Sequence, residues 1–429
     1  MRVIFCAYDR PNHIATGPNV WLQRLIPYLI ENGVDVLTLF LQNGEAKDCP
    51  TLCFFKRHNL KYASLQIEEL PYIESQIKWI LLHSKIFVPD ILVANLVAPA
   101  FYTKKYLKNI PVVATLHSND PFYESVIRNF VSASSKLKID TAIAVSKYIE
   151  TLAHQSNSGF SVERIPCGTP LTNQRASYHG GVMRVAYVGR IVEEQKQILK
   201  LTQSFCWVAS KIEDIEFGIY GDGPDSENVN KIIALNKAES KVHYFGPVNP
   251  AKVHEVISTY HAFTLMSDFE GMPIALLEVM ACGLVPVCLA EKSGVNEILK
   301  DSENGLIVTD REESYYNAIL CLKNNPELWN RLSENAIKTI EQEYSTDINN
   351  HRWLHLLDKL YNPNINSKFR LPWRISVNEF EPLFSGDRRM PPFKKRIAFK
   401  FKELYLKLRL FLRPRARLCV LFNILINNK

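Results

Sequence analysis

The residues best suited to chemistry lie in one stretch, SDFEGMPIALLEVMACGLVPV (residues 267–287), which carries two glutamates eight positions apart. Pro273 suits the first position of a helix and Gly283 the position after its end, which predicts a helix over residues 273–282. Apart from Glu278 this helix is apolar all round, so we expect it to be buried on every side. A buried carboxylate needs hydrogen-bond donors. A ligand diol would supply them, and so would a protein group or a water molecule.

Two further features of the sequence suit an anionic ligand. The backbone N–H groups of residues 271–274, at the start of the predicted helix, form a site for anions or sugar hydroxyls. In YVGRIVEEQKQ, Arg190 comes directly after a predicted strand, and Lys196 follows six positions later. The guanidinium as a fork and the ammonium as a point charge would together neutralise a phosphate leaving group. Solvated surface cations are the alternative interpretation.

Polar or glycine residues also follow three other predicted strands. Gly17, in the TGP turn, would let the backbone approach a ligand, although the same turn is also compatible with a purely structural role. In TLHSND, His117 could hydrogen-bond a substrate hydroxyl and Asp120 could orient an acceptor, while a structural histidine is an equally good interpretation. The G-x-G of YGDGPD, residues 220–225, is weak evidence for a ligand loop.

Missing motifs narrow the chemistry. The chain has no G-x-G-x-x-G, D-x-D, G-x-S-x-G, H-E-x-x-H or Walker loop, which disfavours an oxidoreductase with a dinucleotide cofactor, a hydrolase and a nucleoside triphosphatase. The nine cysteines are scattered without a C-x-x-C pair, so we expect a reducing compartment and no metal-thiolate site. We expect neither a cofactor nor a metal ion.

The elements that must position these residues alternate between strand and helix. Short β-rich runs separated by amphipathic stretches predict an α/β fold with two doubly wound, Rossmann-like parallel sheets. We predict an N-terminal domain over residues 1–169, a linker over 170–182 and a second domain over 183–361, whose last helix may return to the first domain. Strands are expected at RVIFCAY, DVLTLFL, ILVANL, PVVATLH and TAIAVS, with VERIPCG ending the first domain, then at RVAYVGR, EFGIYGDG, KVHYFG, AFTLMS and VPVCLA.

The net charge of +7 belongs to the end of the chain. Residues 362–392 are proline-rich and predict a strap, and residues 393–429 carry eleven Lys or Arg against one Glu on an amphipathic pattern. We predict that this tail rests on an anionic membrane surface; packing against the domains and nucleic-acid binding are the alternatives. No apolar run reaches the roughly 20 residues of a membrane span. The expected location is cytoplasmic, peripheral on the inner face of the plasma membrane, with no nucleic-acid partner.

Together these motifs resemble a known family. EGMPIALLE is an E-x7-E motif followed by MACGLVPV, SGVNEIL and NGLIV, with GRIVEEQK upstream. Over residues 1–361 the chain resembles retaining glycosyltransferases of the GT-B fold, family 4, in which two Rossmann-like domains face each other across a cleft. The resemblance implies a metal-independent hexosyltransferase that uses a nucleotide-diphosphate-sugar donor and a glycan or lipid-linked acceptor, in polysaccharide or lipopolysaccharide biosynthesis.

The resemblance also implies roles for individual residues. Arg190 and Lys196 would bind the diphosphate, covered by the backbone of Gly17, and Glu278 would accept hydrogen bonds from the ribose. Glu270 and the backbone of Gly271, Met272, Pro273 and Ile274 would face the donor sugar and the phosphates. His117 would reach a sugar hydroxyl, and the backbone near Val248 would meet the base. The catalytic set would be Glu270, His117, Arg190 and Lys196.

Two positions depart from the family pattern: Thr16 replaces the first glycine of a pair, and Cys167 replaces an asparagine in IPCGTP. The mechanism implied is cleavage of the sugar–diphosphate bond through an oxocarbenium-like state, with the acceptor attacking from the face of the leaving group. Domain closure would exclude water. The remaining alternatives are a GT-B sugar epimerase and a non-catalytic, membrane-associated nucleotide-sugar-binding protein.

Overall fold

The computed structural model describes residues 1–11, 15–132, 134, 137–249, 252–290, 293–364 and 368–377. The chain divides into two compact units, which are described separately. Unit 1 comprises Met1–Ala144, Glu150–Arg164 and the described residues from Arg352 onward, and unit 2 comprises Val145–Ile149 and Ile165–His351. The domain limits given above remain predictions.

Unit 1 is built on a seven-stranded sheet in the order β3-β2-β1-β4-β5-β6-β7, in which every pair is parallel. Its strands are β1 (Arg2–Asp9), β2 (Asp35–Gln42), β3 (Tyr62–Gln66), β4 (Ile91–Ala94), β5 (Val112–Leu116), β6 (Thr141–Ala144) and β7 (Val162–Arg164). The helices in this part of the chain are α1 (Gly17–Glu31), α2 (Pro50–Arg57), α3 (Ile73–Phe87), α4 (Ala98–Tyr102), α5 (Pro121–Val126) and α6 (Lys147–Ser156). Strands β4, β5 and β6 are buried throughout and mostly apolar, as expected for a parallel sheet covered on both faces.

Unit 2 contains a six-stranded sheet in the order β10-β9-β8-β11-β12-β13, again parallel in every pair. Its strands are β8 (Met183–Val188), β9 (Ile215–Tyr220), β10 (Val242–Gly246), β11 (Ala262–Leu265), β12 (Val285–Leu289) and β13 (Leu306–Val308). The α-helices that follow along the chain are α7 (Glu193–Lys196), α8 (Ile198–Lys211), α9 (Ser226–Leu235), α10 (Val253–Ile257), α11 (Ile274–Ala281), α12 (Val295–Ile298), α13 (Glu313–Asn324), α14 (Pro326–Thr339) and α15 (Thr346–Leu360), the last of which ends in unit 1. The predicted fold class, two Rossmann-like α/β sheets, is confirmed.

The structure differs from the predicted elements in a few places. Strands β3 and β13 were not predicted as strands. In β3 only Leu65 is buried, so its sequence lacks the continuous apolar run of a central strand. Helix α1 begins at Gly17, where the Thr16 carbonyl accepts from the N–H groups of Asn19 and Val20. Helix α11 is shorter by one residue at each end than predicted.

The segments that flank the two sheets are described in part. No helix or strand forms over residues 170–182, yet Tyr178 in this segment is buried and its hydroxyl donates to the Lys323 carbonyl at 2.9 Å. In the strap, Ser376 lies against unit 1: its N–H donates to the Tyr106 hydroxyl at 2.9 Å, and its carbonyl accepts from Lys105 at 3.0 Å. The basic tail, residues 393–429, lies outside the described residues, so its helix and its membrane contact remain predictions. Among the helices that the structure describes, none has the length and apolar character of a membrane span.

Candidate functional site

The candidate site of unit 2 lies where the strand order of its sheet reverses. The chain runs outward from β8 to β10 and then returns to β11, which pairs with β8 on its other side. Parallel sheets bind ligands beyond the carboxyl ends of the strands at such a switch point. The two segments that leave β8 and β11 there are residues 189–197 and 266–273, and they contain Arg190, Lys196 and Glu270.

These two segments are tied together by hydrogen bonds that the sequence did not reveal. The Asp268 N–H donates to the Gln195 carbonyl at 3.0 Å, and the Gln195 side chain donates to the Phe269 carbonyl at 3.0 Å. The carboxylate of Asp268 accepts from Gln197 at 2.6 Å and from Arg311 at 2.8 Å. Arg311 also donates to the Met266 carbonyl at 2.7 Å. The β8 and β11 loops therefore have one fixed relative geometry.

The central contact of the site is an ion pair between Lys196 and Glu270. The Lys196 ammonium contacts Glu270 Oε1, and the two side chains are only 12% and 8% exposed. Two charges removed from water in this way stabilise little in net terms, but each is costly without the other. Burial raises the pKa of Tyr187, and the negative charge of Glu270 raises it further. A phosphate arriving here would meet a cation that is already placed and largely desolvated.

Close backbone packing fixes the loop that carries Glu270. Gly294 approaches this loop so closely that a Cβ atom there would lie 1.8 Å from the Gly271 carbonyl oxygen. The Gly294 N–H donates to the Glu270 carbonyl at 3.3 Å. In the same unit, a Cβ atom on Gly221 would lie 1.8 Å from the Gly189 carbonyl oxygen, so the loop after β9 packs directly on the loop after β8. A side chain at Gly294 or Gly221 would collide with these carbonyl oxygens, so both positions require glycine.

The start of α11 faces the same edge of the sheet. Its first turn contains no acidic residue, and within the described residues no side chain caps it. The N–H groups of this turn and the helix dipole favour an anion. Gly271, Met272, Pro273 and Ile274, which form the approach to this helix, are all buried.

Glu278 differs from its prediction in its burial. The helix was expected to be buried on every side, but Glu278 is half-buried, because α11 presents its Ala275–Glu278 side less deeply than its other residues. Glu278 also has an interaction within the protein. The proposed ribose contact would have to share or replace that interaction.

Arg190 and Val248 lie at the same edge of the unit 2 sheet. Arg190 is exposed, two residues beyond β8, and its guanidinium donates to the Gln195 side chain. Val248 is half-buried in the segment after β10, whose last pairing with β9 is shifted by a bulge between Tyr244 and Gly246. The carboxyl ends of β8, β10 and β11 thus place Arg190, Val248 and Glu270 along one edge.

The remaining candidate residues belong to unit 1. Gly17 is the first residue of α1. His117 follows β5 directly; it is 9% exposed, and burial lowers its pKa to about 3. Asp120 caps α5 by accepting from the N–H groups of Phe122 and Tyr123 at 3.0 and 3.2 Å. A helix cap accounts for the position of Asp120 without an acceptor.

Several residues of these sites were not selected from the sequence. Gln195, Gln197 and Asp268 are in or beside the quoted motifs, but their partners depend on how two loops meet in space. Arg311 follows β13 in a segment, TDREE, that carries no ligand motif. Asn95, which directly follows β4, could have been found by the rule that selected His117, since polar residues directly after buried strands lie at the ligand-binding edge.

The fold defines a class of protein. Two Rossmann-like parallel sheets of this topology are the architecture of GT-B glycosyltransferases. The structure of Anabaena HepE in complex with UDP and glucose aligns over 84% of this chain and 100% of its own, with a TM-score of 0.66 at 15% identity. At that identity the likeness establishes the fold.

The sequence comparisons point to the same group. Residues 179–339 match the model of glycosyl transferases group 1, and over this region the resemblance predicted from the motifs is confirmed. Alpha-D-kanosaminyltransferase of Streptomyces kanamyceticus is 29% identical over 162 residues, 38% of this chain and 42% of that enzyme. Alpha-monoglucosyldiacylglycerol synthase of Acholeplasma laidlawii is 28% identical over 184 residues, 42% of this chain and 45% of that enzyme. The chain thus matches less than half the length of these relatives.

Proposed function

We propose that this protein is a retaining glycosyltransferase that moves a sugar from a nucleotide-diphosphate-sugar to a glycan or lipid-linked acceptor in polysaccharide biosynthesis. The observation that carries the proposal is the buried Lys196–Glu270 pair at the switch point of the unit 2 sheet. The ammonium and the uncapped helix start held there suit the negative charge of a diphosphate, and the carboxylate suits a sugar hydroxyl. The relatives named above, a kanosaminyltransferase and a monoglucosyldiacylglycerol synthase, support the same class.

The residues of unit 2 would take the diphosphate. The Lys196 ammonium, which contacts Glu270, would also donate a hydrogen bond to a phosphate oxygen. Arg190 would add a bidentate contact from the exposed side. The N–H groups at the start of α11 would bind a second phosphate oxygen. Because all three groups are aimed at the leaving group, their stabilisation grows as negative charge develops on it during bond cleavage.

The other residues would orient the sugar and the nucleoside. Glu270, released in part from Lys196, would accept a hydrogen bond from a hydroxyl of the donor sugar, and Glu278 would accept from the ribose. The backbone of Val248 would contact the base, and that of Gly17 would contact the diphosphate. His117 is neutral at physiological pH, so it would hydrogen-bond a sugar hydroxyl without adding a charge near the developing oxocarbenium. We propose that no metal ion is needed, since Arg190 and Lys196 supply the positive charge.

Calorimetric titration of the full chain with UDP-glucose, UDP-N-acetylglucosamine and GDP-mannose tests the proposal. We expect at least one of them to bind, and Lys196→Ala to weaken that binding by about tenfold or more, since a lost charged hydrogen bond costs about 1.5–3 kcal/mol. Lys200→Ala, which removes an exposed ammonium on α8, is the matched control and should bind as the wild type does. Failure of all three donors to bind would contradict the proposal.

The stereochemical part of the proposal needs a separate measurement. Slow hydrolysis of the bound donor, followed by proton NMR before mutarotation, reports the anomer released first. Release of the α-anomer from an α-linked donor is the expected result, and first release of the β-anomer would rule out a retaining mechanism.

A further inference from the structure

The carboxyl edge of the unit 1 sheet carries two buried polar side chains whose hydrogen bonds are incomplete. Asn95 follows β4 directly and is fully buried, and His117 follows β5 directly and is 9% exposed. Strands β4 and β5 are neighbours, paired up to Ala94 and Ala114. Asn95 and His117 therefore leave adjacent strands at one edge, where parallel sheets bind ligands.

Thr115 fixes the orientation of the Asn95 amide. Its hydroxyl donates to Asn95 Oδ1 at 2.9 Å, and Thr115 itself is 1% exposed. This contact satisfies the amide oxygen. The amide nitrogen, Nδ2, is buried and has no hydrogen-bond partner within the described residues. A buried donor left without a partner is unfavourable, so its retention at this edge calls for a ligand.

His117 presents a second unsatisfied atom. Its Nε2 is buried and lacks a partner in the part of the chain that the structure describes. His117 follows Thr115 by two residues, the spacing that puts strand side chains on one face. Trp21 of α1 packs edge-on against the imidazole, with ring centroids 5.1 Å apart. Burial lowers the pKa of His117 to about 3, so the ring is neutral at physiological pH.

We propose that Asn95 is a further ligand-binding residue of this chain, whose amide donates to a hydroxyl of the same sugar that His117 contacts. Asn95, Thr115 and His117 carry no charge to balance a phosphate or a carboxylate. A hydroxyl accepts from the amide and exchanges a proton with the neutral imidazole in either direction. Thr115 is a positioning residue, since it acts through Asn95. The inference rests on the proposed function, because it specifies how a sugar is held.

The decisive variant is Asn95→Leu, which keeps the number and branching of the side-chain heavy atoms and removes the amide. Calorimetry on the full chain would compare UDP-glucose, UDP-N-acetylglucosamine and GDP-mannose with UDP and GDP. Loss of one neutral hydrogen bond should weaken nucleotide-sugar binding by about three- to tenfold and leave UDP and GDP binding unchanged. Thr115→Val should produce a smaller loss in the same direction, because the amide stays but is no longer oriented.

The hydroxyl can belong to the donor sugar or to an acceptor, and a second arm distinguishes them. Saturation-transfer NMR with methyl α-glucoside and methyl N-acetyl-α-glucosaminide reports binding of a sugar that carries no nucleotide. If Asn95→Leu weakens the binding of only the nucleotide-sugars, the hydroxyl belongs to the donor. If it weakens the binding of only the glycosides, the hydroxyl belongs to the acceptor. Either result supports the proposal.

Stability measurements separate this role from a structural one. Asn95→Leu removes a buried, unpaired donor, and the Thr115 hydroxyl, which loses its acceptor, can turn to the Ala94 carbonyl 3.4 Å away, so the Tm should stay close to that of the wild type. Thr38→Val is the matched control, since Thr38 in β2 also has a buried hydroxyl without a partner among the described residues, and it should bind every sugar as the wild type does. Wild-type affinity of Asn95→Leu for every sugar, or a lowered Tm with loss of UDP binding, would overturn the proposal. If the wild type binds no nucleotide at all, the proposed function fails, while the glycoside arm still decides the role of Asn95.

Discussion

Lys196 and Glu270 depend on each other for stability as well as for any ligand. Each side chain is about nine-tenths buried, so removing one partner leaves an uncompensated charge in a desolvated position. Replacing both by neutral groups of similar size removes the cost of burying two charges and also removes the attraction between them. The pair is therefore poor evidence for stability, and its retention is better explained by a charged ligand.

This dependence gives a residue-scale prediction. Lys196→Met and Glu270→Gln should each lower the free energy of unfolding by about 3 kcal/mol, whereas the double variant should lose clearly less than the sum. Urea unfolding of the four proteins measures the coupling. Additive losses would show that the two side chains do not share a buried environment. Lys300→Met with Glu303→Gln, an exposed pair in the same unit, should show coupling of less than about 1 kcal/mol.

At the scale of elements, the site depends on a loop held by its backbone. Residues 266–273 leave β11 and are fixed on one side by Gln195, Gln197 and Arg311, and on another by Gly294. Gly294 lies at the start of α12 with φ −62°, a conformation open to any residue. Gly294 is constrained instead by its contact with the Gly271 carbonyl. Helix α12 therefore supports the loop that carries Glu270.

Gly294→Ala should therefore damage the site without straining its own backbone. The new methyl group would lie 1.8 Å from a carbonyl oxygen, so the Glu270 loop or α12 must shift. We expect nucleotide-sugar affinity to fall by about tenfold or more and stability by about 1–3 kcal/mol, the usual cost of overpacking. Calorimetric titration and urea unfolding measure the two effects. Gly159→Ala, whose methyl group would meet only the Asn157 side chain at 3.9 Å, should change neither, and wild-type affinity of Gly294→Ala would contradict the role given to α12.

The features that the sequence predicted are those that depend on residues close together in the chain. Apolar runs mark the central strands, and the local preferences of proline and glycine mark the helix ends at Pro273 and Gly283. The fold class and most elements were therefore predicted. Strand β3 pairs through its backbone with β2 while its side chains stay mostly polar, so periodicity missed it. Gln195, Asp268 and Arg311 meet only because two loops pack together, which no spacing along the chain encodes.

Among the described residues, His83, His117 and the partly buried His261 resist protonation. Burial lowers the pKa of His83 to about 4 and that of His117 to about 3 in unit 1. In unit 2, burial and, to a smaller extent, the positive charge of Arg184 lower the pKa of His261 to about 4. In the unfolded chain these imidazoles return to the usual value near 6.5, so the unfolded state binds more protons over this interval.

The sign of the effect follows from that difference. A histidine whose pKa is lower in the folded state stabilises the fold fully above its unfolded value, and this stability is lost as pH falls from about 6.5 towards about 4. We predict that Tm falls steeply between these limits, and that His83→Leu, which removes one such group, reduces the fall. Differential scanning calorimetry from pH 7.5 to pH 4.5 measures it, with His179→Leu as an exposed control that should follow the wild type. An identical pH dependence of Tm in His83→Leu and the wild type would show that acid sensitivity comes from other groups.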